Sequence, residues 1–215
     1  MRNLVITMAF LISISSCKST ELIGSWKVEQ APTRNYSEIG IVVVTPNMST
    51  RSIMESDLAT VLATKGIKAS PTFDIFPFVA NRELFDENDT LSIRNYARER
   101  IDKFGFDAIL LVALFDQRTE SRYNQGSTFS FAVPAYQYNY YGFYQYAYST
   151  VHTPGYYSTK TLYFLESNLY DAGTEKLIWT AQTKTTVDVS DIHKDSRLFA
   201  DIIAEEMLKK NAVTP

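Results

Sequence analysis

Two stretches, residues 39–45 (IGIVVVT) and 107–114 (DAILLVAL), are apolar at odd and even positions alike. A strand sends successive side chains to opposite faces of its sheet, so such stretches are stable only where both faces are covered. That places both at the centre of a sheet lying between layers of helix. The intervening chain supplies the helices. Pro46 and Asn47 break the first stretch, Ser49 or Ser52 is placed to cap a helix, and Met54, Leu58, Val61 and Leu62 form its apolar stripe. Ser52 and Glu55 have the spacing of a capping box, and Lys65-Gly66 offers a cation and a residue free to turn left-handed at the other end. A short strand is expected at residues 67–69, followed by an irregular connection, residues 71–84. Its Phe73, Ile75, Phe76, Phe78 and Val79 should pack on the domain. A second helix starts near Thr90 or Ser92, carries Ile93, Ala97, Ile101 and Phe104 on one stripe, and stops at Gly105. Strand, helix, strand, helix, strand is the pattern of right-handed crossovers.

The second half reads differently. Residues 159–170 alternate, with Thr161, Tyr163, Leu165 and Leu169 on one side and Lys160, Glu166 and Asn168 on the other. After a turn at residues 171–174, Leu177, Trp179, Ala181 and Val187 share one face of a returning strand, opposite Thr180, Gln182, Lys184 and Thr186. A hairpin with one solvated face is expected. Asp191 is placed to cap a closing helix whose apolar side is Leu198, Phe199, Ile202, Ile203 and Met207. The expectation is one α/β domain at residues 36–212, a five-stranded mixed sheet in the order β-α-β-α-β-β-β-α with about three helices and a long Tyr-rich loop.

Ahead of the domain, residues 1–17 (MRNLVITMAFLISISSC) combine Arg2, an apolar run too short to span a bilayer, and two small serines. This is the pattern of a secretory signal, and Ile14-Ser15-Ser16-Cys17 looks like a bacterial lipobox. Residues 1–16 would be removed and Cys17 would carry the lipid. Two or more acyl chains hold a protein firmly on a membrane. Residues 17–35, broken by Gly24 and Pro32, read as a lipidated tether, with Trp26 as a short edge strand or a plug over a sheet end. Lys18 is not the aspartate that retains lipoproteins at the inner membrane, so the outer membrane, facing the periplasm, is the expected address. Cys17 is the sole cysteine, which excludes an intrachain disulfide and thiol-metal spacings. With a net charge of −3 there is no basic footprint for nucleic acid. The expected partners are the membrane, through Cys17, and an envelope protein.

Residues 116–158 interrupt the domain with a tyrosine-rich stretch of almost no charge. Three readings stand side by side. It is a low-complexity loop, an aromatic interaction surface built on Tyr138, Tyr140, Tyr141, Tyr144 and Tyr146, or an extended arm that adds a strand to a partner. Chemistry is harder to find. The sequence has no G-x-S-x-G, H-E-x-x-H, phosphate loop or G-x-G-x-x-G, and His152 and His193 stand in no metal or triad spacing. No catalytic residue, metal or cofactor is therefore expected, and a non-enzymatic role follows.

The segments Ser25-Trp26-Lys27, residues 53–77, residues 105–123 and residues 149–185 together resemble a family of small Gram-negative cell-envelope lipoproteins of unknown function. The layout is also loosely similar to the α/β domains of curli-secretion and penicillin-binding-protein-activator lipoproteins. The resemblance implies an anchored scaffold or binding protein and assigns a role to Cys17 alone. The alternative is a periplasmic glycan- or lipid-binding domain, enzymatic or not, with the aromatic loop as its lid.

Overall fold

The β-branched stretch forms the centre of the sheet. In the computed structural model, which describes residues 19–29, 31, 35–76, 90–119, 140, 142, 161–186 and 192–215, strand β2 (Ile39–Val44) is buried along its whole length. It pairs in parallel with β3 (Ala69–Pro71) on one side and β4 (Ala108–Thr119) on the other. β4 continues antiparallel to β5 (Thr161–Asp171), which turns back into β6 (Leu177–Thr186). The sheet is mixed and six-stranded, in the order β1-β6-β5-β4-β2-β3, one strand more than expected. The extra strand is β1 (Thr20–Lys27), antiparallel to β6 and lying within the stretch read as a tether. Trp26 does lie on an edge strand, but 42 % of it is exposed, so it plugs nothing.

Helices cover both faces. α1 (Met48–Thr64) and the closing helix α3 (Ile192–Lys209) share a core with the side chains of Ile39, Ile41, Val43, Leu110, Val112 and Trp179. α2 (Thr90–Phe104) lies on the opposite face, where Ala97 and Ile101 meet Val42, Val44, Ile109 and Leu111. Gly40 is the point of closest approach there, since a Cβ on it would stand 3.0 Å from Ile109 Cδ1 and 3.1 Å from the Phe106 ring.

The helix ends follow local chemistry with one shift. Asn47, not Ser49 or Ser52, caps α1, its Oδ1 accepting from the Thr50 amide at 3.0 Å. The carboxyl end holds as expected, Gly66 turning at φ +80° while the Ile67 amide bonds the Leu62 carbonyl. Glu55 makes no capping box, because it points into the core and completes the sheet edge. β3 pairs only as far as Ile41, so the Val43 amide lacks a strand partner there. Glu55 Oε1 accepts from that amide at 2.9 Å and Oε2 from the Thr72 amide at 2.7 Å, while Thr72 Oγ1 donates to the Ile41 carbonyl at 2.7 Å. Arg51, also buried, donates to Glu55 at 2.7 Å and to the Phe76 carbonyl at 2.7 Å. Two charged side chains thereby take the place of a missing stretch of strand.

The hairpin departs from expectation in its polar face, which is enclosed. Glu166 is 5 % exposed, and Asn168 and Thr180 are fully buried. By strand alternation Tyr170 shares this face, and Tyr140 stands edge-on to its ring at 6.3 Å between centroids. Phe104, expected on the apolar stripe of α2, is instead exposed at the helix end and stacked on Phe106.

Candidate functional site

A cavity of about 280 Å³ opens on the α1/α3 face at the carboxyl ends of β2 and β4. Its origin lies in the lengths of the elements. β2 stops at Val44, whereas β4, β5 and β6 run on past it. Because β6 runs in the same direction as β2 and β4, its carboxyl end lies at the same end of the sheet, and α1 and α3 both start there and run parallel to one another. They are staggered. Asp57, in the middle of α1, pairs with Arg197 at 3.2 Å and His193 at 3.3 Å near the start of α3, and Lys65 pairs further down with Glu205 at 3.5 Å. The first turns of α1 thus extend past the start of α3, and the cavity is the space left there between α1, the first turns of α3 and the sheet.

The cavity sits at the carboxyl ends of the parallel strands β2 and β4, where α1 leaves the sheet. Open α/β sheets place their ligands at such points. Val43, Val112 and Leu165 form the floor, with Met54 from α1 and Phe199 from α3 as walls. Thr45, Thr50, Tyr163, Thr185 and Ser196 add hydroxyls, and among the described lining residues Asp195 carries the one charge. Ser196 is buried and its Oγ meets no hydrogen-bond partner, an unusual state for a polar atom inside a protein. The arrangement suits a hydrocarbon group with a small polar end.

The other buried charges already have partners. Glu175, held at φ +58°, takes Arg94 in a two-point contact at 3.1 and 2.8 Å and Arg98 at 2.8 Å. Burial pushes the Glu55 carboxyl up from its ordinary value, while the Arg51 guanidinium and the two backbone amides pull it back. Burial likewise pushes Glu166 up, and only the side-chain amides of Asn168, at 3.1 Å, and Gln182 oppose it. Among the described residues no group of three or more His, Cys, Asp and Glu is gathered to hold a metal ion.

Of the residues singled out from sequence, Cys17, Tyr138, Tyr141, Tyr144 and Tyr146 lie outside the described residues. Tyr140 is described, and it is buried against Tyr170 rather than displayed on a surface; burial, with Glu175 nearby, pushes its phenol up to about 12. The cavity was not singled out from sequence. Only its general place, beyond the carboxyl ends of parallel strands, follows from the strand and helix order.

No protein-family model and no curated protein matches the sequence. Among solved structures, the chain is similar to the PelC dodecamer from Paraburkholderia phytofirmans, with 12 % identity, a TM-score of 0.43, and 91 % of this chain and 99 % of that one covered. It is also similar to lipoprotein GNA1162 from Neisseria meningitidis, with 14 % identity, a TM-score of 0.39, and 80 % and 95 % covered. At these values the likeness concerns the course of the backbone alone.

Proposed function

We propose that this chain is a lipid-anchored protein of the bacterial cell envelope with a non-catalytic scaffold or binding role, held at the outer membrane and facing the periplasm. The observation that carries the reading is where β1 begins. Its first residue, Thr20, lies three positions after Cys17, and the Ser19 carbonyl already accepts from the Thr186 amide at 2.7 Å. An anchor on Cys17 is therefore joined to the sheet by about 10 Å of extended chain at most. The sheet end that holds Thr20, Thr185 and the first turns of α1 and α3 would stand against the bilayer. Among the described residues no helix is long and apolar enough to cross a membrane.

Support for a non-catalytic role comes from how the buried charges are used, since Glu55 and Arg51 tie α1 to the Val43 amide and the Phe76 carbonyl, Asp57 and Arg197 join α1 to α3, and Glu175 takes two arginines of α2. A periplasmic lipid- or glycan-binding role is the second reading, and the cavity bears on it. Its apolar floor and walls favour lipid over sugar.

The test is metabolic labelling of the full chain with an alkyne palmitate analogue in a bacterial host, beside Cys17→Ala. Label on the wild type, lost with the substitution together with membrane association, is the expected result. Equal labelling of both proteins rejects the anchor.

A further inference from the structure

We propose that the cavity at the carboxyl ends of β2 and β4 houses one fatty acyl chain of the lipid on Cys17. This rests on the lipid-anchored reading above and deepens it by naming what the cavity takes. Position is the first ground. Thr185 lines the cavity, and its Oγ1 lies 3.1 Å from Thr20 Oγ1 on the paired strand. From Ser19, fixed beside Thr186, only Lys18 separates the chain from Cys17, and two residues span about 7 Å when fully extended. The thioether and amide of a lipidated Cys17 are thus held at the same sheet end as the cavity.

Chemistry is the second ground. Val43, Val112, Leu165, Met54 and Phe199 present hydrocarbon on the floor and two walls, which an acyl chain matches and a peptide or sugar does not. Ser196 Oγ, buried and unpartnered in that lining, needs an acceptor, and the ester or amide carbonyl at the head of an acyl chain supplies one. The third ground is the tether itself. A chain bound to Cys17 is always present at high effective concentration, whereas a loose lipid must leave the bilayer to compete. The remaining acyl chains stay in the membrane, so seating one of them fixes the orientation of the domain without releasing it.

The experiment uses the full chain, processed in a bacterial host, with the photocrosslinker p-benzoylphenylalanine in place of Met54 in the cavity wall. A matched protein carries it in place of Phe104, which is exposed before the amino end of β4, at the far end of the sheet. Envelopes are irradiated and the peptides identified by mass spectrometry. A crosslink within one chain, from position 54 to the acyl group on the Cys17 peptide, is expected, with loss of that product at position 104. A phospholipid captured at position 54 instead overturns the proposal in favour of a membrane lipid. Capture of no lipid at position 54, with circular dichroism showing a folded protein, also overturns it. The mass of the uncrosslinked amino-terminal peptide separates the two levels of the reading. If Cys17 is acylated, failure of the crosslink sinks the cavity proposal alone; if Cys17 is bare, the anchor falls with it.

Discussion

Glu55 and Glu166 are both buried glutamates, one in the parallel half of the sheet and one in the antiparallel half, and the protein treats them differently. Glu55 meets a guanidinium and two backbone amides, so its charge is matched and it repairs a sheet edge that β3 is too short to cover. Among the described residues Glu166 meets the amides of Asn168 and Gln182 and no cation, and beside it Asn168 Oδ1, Thr180 Oγ1 and the Tyr170 hydroxyl find no partner. A buried charge thus stabilises when it answers a specific backbone deficit, and burdens the fold when only neutral dipoles surround it. Among the described residues, the strands and helices of the parallel half, β2, β3, β4, α1 and α2, hold no buried side-chain polar atom without a partner. The antiparallel half does.

Substitutions at the two sites sharpen the contrast. Arg51→Ala should have the largest effect, about 3–5 kcal/mol of lost stability in denaturant unfolding, because it removes the cation that matches the buried Glu55 carboxylate. A loss near zero would mean that the pair contributes nothing to the edge. Glu55→Gln keeps the shape and one acceptor and should cost about 2 kcal/mol, the penalty for leaving the Arg51 guanidinium short of its partner. Asn47→Ala removes the cap of the same helix without touching the pair, and about 1 kcal/mol is expected by thermal unfolding. Should it match Arg51→Ala, the effect of Arg51 would belong to helix docking in general and not to the sheet edge.

Glu166→Gln should act in the opposite direction and least of all. Burial raises the Glu166 carboxyl in the folded state, so the folded protein keeps this proton to higher pH than the unfolded chain does. Its stabilising contribution is complete in acid and is lost as pH rises through the folded value. The glutamine variant should therefore be the more stable protein near neutral pH, with the gap closing as the buffer is acidified toward the ordinary carboxylate range. Urea unfolding across that range checks it, and a gap that widens in acid would show that Glu166 is held as a charged group.

The parts of the fold that were legible are those set by local pattern. The double-faced apolar runs gave β2 and β4, Gly66 and Gly105 marked helix ends at positive φ, and the alternation of residues 161–186 gave the hairpin. What escaped depends on distant partners. Arg51, Glu55 and Asp57 lie off the apolar stripe of their helix, and Glu55 has the spacing of a capping box, yet all three are buried because the sheet edge and α3 lie over them. β1 reads as a tether because Gly24 and Pro32 break a polar stretch, and its partner strand lies more than 150 residues away. The cavity depends on the stagger of α3 against α1, which no short window of sequence records. Tyr140 shows the same limit, since nothing in an aromatic-rich run tells which ring will be taken into the core.

The pairing of Thr20 with Thr185 also dictates an order of events. The first strand made by the ribosome cannot find its neighbour until almost the whole polypeptide has been delivered, a closure 165 residues wide. Until then β1 itself is an unpaired strand open to any stray β-segment. A chain cut short before its hairpin would leave its opening strand with nothing to join.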